Sequence, residues 1–271
     1  MWKLLQQATV GYTAPLGTGL LIEGGLFLSP VGVENLAVKD SWNWSRSTLF
    51  FALPAYQTGV RATYTLAPHL TTTVSVFNGW NNVLDNNDEK TFAAQLDYFL
   101  LHDVSFRVVY MTGVERPTGD PHGRAWRHLF DGWLMWYPNR WLTLLAHLDA
   151  GFEQGSLGTN RWESGALYFR IRFAKWLRFA ARADLFAEQV DDESQRSRDA
   201  LYYPAARVVS SGTVTLDLRP APNVSIRLEY RHDQASAPMY FAGTVPTTMD
   251  GAPVPTAASQ DTFTVGTTAW F

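Results

Sequence analysis

No cysteine occurs among the 271 residues, which excludes disulfides and thiolate metal sites and is compatible with an oxidising compartment. Charge is scarce as well: Asp, Glu, Lys and Arg make up 17%, below the roughly 25% usual for soluble globular chains. The formal net charge is −3 and no block of lysine or arginine is present, so nucleic acid is set aside as a partner. No long apolar run exists either. The greasiest stretch, LFFALPAY at 49–56, contains a proline and falls far short of the roughly 18 residues that a membrane-crossing helix needs. The opening MWKLLQQATV carries one lysine and a two-leucine patch, too little for the basic and apolar regions of a secretory signal.

Aromatic residues, in contrast, reach 14%, with 11 Trp, 11 Tyr and 16 Phe, while the mean hydropathy is only −0.13. The aromatic and aliphatic residues recur at every second position. In the final segment Phe263, Val265, Thr267, Ala269 and Phe271 share one face, and Thr262, Thr264, Gly266 and Thr268 the other, the period of a half-buried strand. Alternation of this kind marks about thirteen segments of roughly ten residues, the length with which a tilted strand crosses a bilayer. They lie at 6–14, 20–27, 56–67, 70–80, 91–101, 104–112, 128–137, 141–152, 162–173, 177–187, 208–219, 224–232 and 262–271. Helical periodicity is absent.

The connections alternate between short and long. Short ones fall at 15–19, 68–69, 102–103, 138–140, 174–176 and 220–223, and most have tight-turn chemistry. Long ones fall at 28–55, 81–90, 113–127, 153–161, 188–207 and 233–261. Short turns at one end and long loops at the other predict an all-β, antiparallel, up-and-down transmembrane β-barrel in the outer membrane of a Gram-negative bacterium, built as one domain over 1–271. The charges support this arrangement. In VSIRLEYRH, Val224, Ile226, Leu228 and Tyr230 face one way, and Ser225, Arg227, Glu229 and Arg231 the other. A soluble sandwich would produce the same alternation with its apolar face inside, so loop segregation, strand length and strand number decide between the two. Tyr and Trp near the strand ends, among them Trp80, Trp126 and Trp162 on the loop side, are expected to form interfacial girdles, although cross-strand aromatic pairing explains some of them equally well.

Several longer motifs carry a resemblance. GLFLSPVGVE, DSWNWSRS, TGVRATYTL, VFNGWNNVLDNND and IRLEYRHD resemble the OmpL-like β-barrel porin family, over essentially the whole chain. Gly25, Phe27, Pro30, Gly32, Glu34, Asn43, Ser45, Arg46, Gly59, Arg61 and Tyr64 sit where that family's pattern places them, and Leu26 stands where it has lysine. Single-chain bacterial barrels close with an even number of strands, so an odd count predicts at least one further strand upstream of Met1. The resemblance implies about three further strands and a signal sequence, hence about sixteen strands in the complete protein.

The expected function is a porin: a water-filled channel for passive diffusion of small hydrophilic solutes or ions, in contact with outer-membrane lipid and open to homo-oligomer formation. Its expected wall or constriction comprises Arg61, Arg107, Arg170, Arg172, Arg178, Arg182, Asp184, Arg227, Glu229 and Arg231, with Glu163 also assigned to the lumen. For most of these the competing reading, cross-strand ion pairs that stabilise the interior, carries equal weight. The loop at 28–55, with Glu34, Asp40, Arg46, Trp42 and Trp44, is expected to fold inward and narrow the pore. Two alternatives remain: a structural or scaffold barrel without open conductance, and an outer-membrane hydrolase. Against the last, His147 and Asp149 lie on the wet face of a strand whose only hydroxyl is Thr143. The six histidines show no metal-ligand spacing, and no cofactor motif is present.

Overall fold

The computed structural model describes residues 5–99 and 103–271. Thirteen antiparallel strands follow one another in a single sheet whose spatial order is the chain order. They are β1 (Ala8–Ala14), β2 (Leu20–Leu28), β3 (Tyr56–Ala67), β4 (Leu70–Phe77), β5 (Thr91–Phe99), β6 (Val104–Val114), β7 (Trp126–Trp136), β8 (Leu142–Gly155), β9 (Gly158–Arg172), β10 (Leu177–Gln189), β11 (Val208–Ala221), β12 (Val224–Ala235) and β13 (Ser259–Ala269). Among the described residues the only α-helix is a single turn, α1 (Arg196–Asp199), and no helix is long and apolar enough to cross a membrane. By contacts the chain separates into two compact units. One comprises 1–33, 53–136 and 147–161; the other comprises 34–52, 137–146 and 162–271.

Burial is inverted relative to a soluble protein. Arg182, Asp184, Asp217, Arg227 and Glu229 are buried, whereas Val74, Phe130, Leu167, Phe263 and Val265 are more than half exposed. The hydrophobic effect in water would expel the first set and bury the second. Only a surrounding that is itself apolar reverses the preference. The phases agree with the sequence pattern: on β12 the residues Ser225, Arg227 and Glu229 are buried, and Val224, Ile226, Leu228 and Tyr230 lie on the opposite side.

In the first unit, β1 to β7 pair in succession, with one register shift between Thr65 and Ala67 where β3 meets β4, and with Glu23 directly opposite Arg61 and Asp97 directly opposite Arg107. Phe27, Phe77, Met111 and Leu129 are buried on its polar face, and the rings of Phe27 and Phe77 lie 6.1 Å apart. In the second unit, the registers of β10, β11 and β12 stack the polar side chains into rows: Asp184–Ser211–Asp233, Arg182–Thr213–Arg231, Ala180–Thr215–Glu229 and Arg178–Asp217–Arg227. Its apolar contacts gather where the long connections meet the strands, at Ala206, Val209 and Ala235 beneath Tyr203, Met239 and Tyr240.

Three expectations need correction. The stretch 153–161 is not a long loop, because β8 runs to Gly155 and β9 starts at Gly158. Gly158 takes a φ of +129°, which closes the hairpin in two residues, so the regular alternation of loop lengths fails at this point. Glu163 lies on the exposed face, in phase with Leu167, and not on the buried polar one. Trp162 belongs to no girdle: it is buried on the polar face, its ring centroid 5.2 Å from that of Tyr202. The expected turn at 102–103 includes His102, which lies outside the described residues, as does 100–101 at the end of the fifth segment.

A candidate constriction on the polar wall

The segment from Glu34 to Ala52 contains two 3-10 turns, Val38–Asp40 and Leu49–Ala52, and closes on itself through its own side chains. The Glu34 carboxylate accepts the Ser47 backbone N–H at 3.0 Å and the Ser47 hydroxyl at 2.6 Å. Arg46 donates to the Ser41 hydroxyl and to the Leu36 carbonyl, each at 3.0 Å, and stacks over the Phe50 ring. A polar chain without regular structure is thereby held as one strap, with the orphan backbone groups supplied by side chains. Among the described residues Asp40 pairs only with its neighbour Lys39, at 2.8 Å and half exposed, so it does not join the wall.

The strap is anchored row by row to β10, β11 and β12. Arg182, with no exposed side-chain surface, donates to Asp184 at 2.8 Å, to Glu34 at 3.2 Å, and to the carbonyls of Ser45 and Arg46 at 2.8 and 2.9 Å. Asp184 in turn accepts both the backbone N–H and the hydroxyl of Thr48 at 2.8 Å, together with the Ser211 hydroxyl. Glu229 accepts the backbone N–H groups of Trp44 and Ser45 at 2.6 and 2.8 Å and the Thr215 hydroxyl at 2.7 Å. Arg227 reaches the carbonyls of Val38 and Asn43, Arg231 that of Arg46, and the Asn43 amide donates to Thr215 at 2.7 Å. Buried charges require this degree of satisfaction, because an unpaired one costs several kcal/mol. The Trp44 ring lies against Gly266 on β13, where a Cβ would overlap it. Beside these anchors a cavity of about 480 Å³ is lined by Trp44, Arg46, Tyr203, Arg231 and Tyr240, among others.

The other expected wall residues divide by partner. In the first unit Arg61 pairs with Glu23 at 2.8 Å and covers the Phe27 ring, while Arg107 pairs with Asp97 at 2.6 Å and donates to the Pro30 carbonyl. In the second unit Arg231 pairs with Asp233 at 2.7 Å. Arg170 on β9 lies over the Trp42 ring at 4.4 Å, and Trp42 meets Tyr168 edge-on. Arg172 donates to the Arg140 carbonyl at 2.8 Å, and Arg178 stands opposite Asp217 in register without a hydrogen bond to it.

Sequence spacing missed Thr48, Thr215 and Tyr203, whose hydroxyl donates to the Thr48 carbonyl at 2.8 Å. It also missed a cluster in the first unit, where Asp131, His147 and Asp149 bring three potential ligand atoms within 4.8 Å of one another. His147 Nε2 lies 2.6 Å from Asp131, whose second oxygen accepts the Gly32 N–H at 3.1 Å. Pairing across strands is invisible to spacing along one of them.

The sequence matches the family model described as "Putative beta-barrel porin-2, OmpL-like" over residues 2–271. Among solved structures it is similar to OmpT, an outer membrane protein of Vibrio cholerae, at 8% identity and a TM-score of 0.65, with 98% of this chain and 80% of that one covered. It is also similar to the outer membrane channel DcaP of Acinetobacter baumannii, at 10% identity and a TM-score of 0.58, with 97% and 84% covered. A trimer form of OmpT aligns at 9% identity and a TM-score of 0.62, with 98% and 87% covered. Curated proteins yield no match.

Proposed function

Because the chain belongs to the OmpL-like β-barrel porin family and resides in the outer membrane of a Gram-negative bacterium, we propose that it forms a water-filled channel for passive diffusion of small hydrophilic solutes. The observation that carries this reading is the inverted burial, with apolar side chains exposed on one face of the strands and charged ones buried on the other. On that wall the strap from Glu34 to Ala52 acts as the constriction, since its backbone is tied to Arg182, Asp184, Arg227 and Glu229. We read no hydrolase chemistry into His147, which is buried on the polar face against Asp131 with no serine beside it on β8. A homo-oligomer is part of the proposal, supported by the trimer form of the similar OmpT structure.

Reconstitution in planar bilayers tests the channel. An ohmic current is expected from the full chain, larger after the strap residues from Val38 to Ser47 are replaced by a short Gly-Ser linker. A protein that folds and inserts yet passes no current in either form would be a scaffold barrel instead.

A further inference from the structure

The charges on the polar wall of the second unit are not evenly satisfied. Its carboxylates are all engaged: Glu34 with Ser47 and Arg182, Asp184 with Arg182 and Thr48, Glu229 with the strap, Asp233 with Arg231, and Asp217 with Arg219 at 2.9 Å and the Ser225 hydroxyl at 2.7 Å. Three arginines of β9 and β10 are left over. Among the described residues no carboxylate lies within ion-pair distance of Arg170, Arg172 or Arg178. Arg170 has one long contact, 3.5 Å to the Thr143 hydroxyl, and otherwise lies on Trp42. Arg172 is exposed and donates to a backbone carbonyl. Arg178 is partly exposed, and its Nε is buried with no partner.

Arg178 on β10 stands opposite Asp217 in register, but that carboxylate is already taken by Arg219 and the Ser225 hydroxyl, and Arg170 and Arg172 lie on the adjacent strand β9 without a carboxylate of their own. Water alone solvates such a cluster poorly where the wall limits access, and mutual repulsion raises the free energy of the empty site. An oxyanion relieves both costs. The planar fork of arginine offers paired N–H donors that match the two oxygens of a carboxylate or phosphate, and rings of arginine or lysine are the usual lining of anion-selective pores.

We infer that Arg170, Arg172 and Arg178 form an anion-binding subsite beside the strap, with Trp42 as one wall, that favours small solutes bearing a carboxylate or phosphate group. The inference rests on the channel reading and names the solute class for it. Two measurements keep them separable. In planar bilayers under a potassium chloride gradient, the wild-type reversal potential is expected on the chloride side, and inorganic phosphate or acetate should reduce the chloride current saturably. Titration calorimetry of inorganic phosphate into the detergent-solubilised full chain reads the same subsite without any conduction.

Arg178→Gln should weaken phosphate binding about tenfold or more, the loss expected of one charge-assisted pair. Arg178→Lys should keep the sign of the selectivity while losing most of that affinity, since it retains charge but not the fork. Arg198→Gln, an exposed substitution on α1, serves as the control and should bind phosphate as wild type does. A conducting wild type that prefers potassium, or that binds phosphate no better than Arg178→Gln, overturns the subsite and leaves the channel standing. Phosphate binding without current would instead support the subsite and overturn the channel.

Discussion

Arg182 shows how a single side chain joins two parts of the polar wall: its five donors reach two carboxylates, two backbone carbonyls and, at 3.2 Å, the Thr213 hydroxyl. Replacing it with methionine leaves Glu34 and Asp184 facing each other without a cation, and removal of one partner from such a buried network costs about 3–5 kcal/mol. Arg182→Met is therefore expected to lower the unfolding midpoint in detergent and to expose the strap to limited proteolysis; a strap still protected in this variant would show that the other anchors suffice. Glu115, just beyond β6, presents the opposite case. It accepts the Trp80 N–H at 2.7 Å and the Thr91 hydroxyl, with Arg127 and Glu153 nearby, but burial dominates and holds its carboxyl above the ordinary value of 4.5. A raised native value means that the folded state binds protons more tightly, so its stability is greatest below 4.5 and declines as pH climbs through the raised value. Glu115→Gln should remove this part of the decline, read as the melting temperature against pH; an unchanged slope would place the titration elsewhere.

At the scale of the element, the sequence displays strands well and their ends less well. Each of the thirteen alternating segments became a strand, because a wall with lipid on one side and polar groups on the other imposes period two without exception. The β8–β9 hairpin was hidden because EQGSLGTNR has the composition of a loop, while its strand character comes from pairing that continues past the apolar residues. Gly158 makes that turn possible, and Gly158→Val would force a branched residue to a φ of +129°, at a cost of about 1–3 kcal/mol. Slower or incomplete conversion to the heat-modifiable folded form on electrophoresis is the expected sign, whereas wild-type folding would mean that the hairpin relaxes. The strap was recognisable as a functional loop from its length and aromatics, yet its seat was not. Trp44 and Glu229 are 185 residues apart, and Asn43 and Thr215 are 172 apart, distances at which no local pattern reports contact.

For the molecule as a whole, fold class and membrane location were legible in loop lengths, strand length and strand number, and the polar wall as a face was legible in the alternation. What alternation cannot supply is the pairing on that face. It placed Arg61, Arg107, Arg182 and Arg178 alike, although three of them are ion-paired and Arg178 is not. The exposed face has a direct test. Leu167 is 65% exposed, and Leu167→Arg should destabilise the protein in lipid by about 2–4 kcal/mol if it lies near the bilayer midplane. The same substitution at exposed loop position Leu84 should be tolerated, and equal tolerance at both would argue against a lipid-facing surface. The strap adds a last consequence. A segment tied by both flanks and its middle to a rigid sheet has no swinging mode on the microsecond-to-millisecond scale of loosely held loops. Recorded one pore at a time, the current should run as a flat, quiet trace, free of the flicker that a flapping tongue would impose.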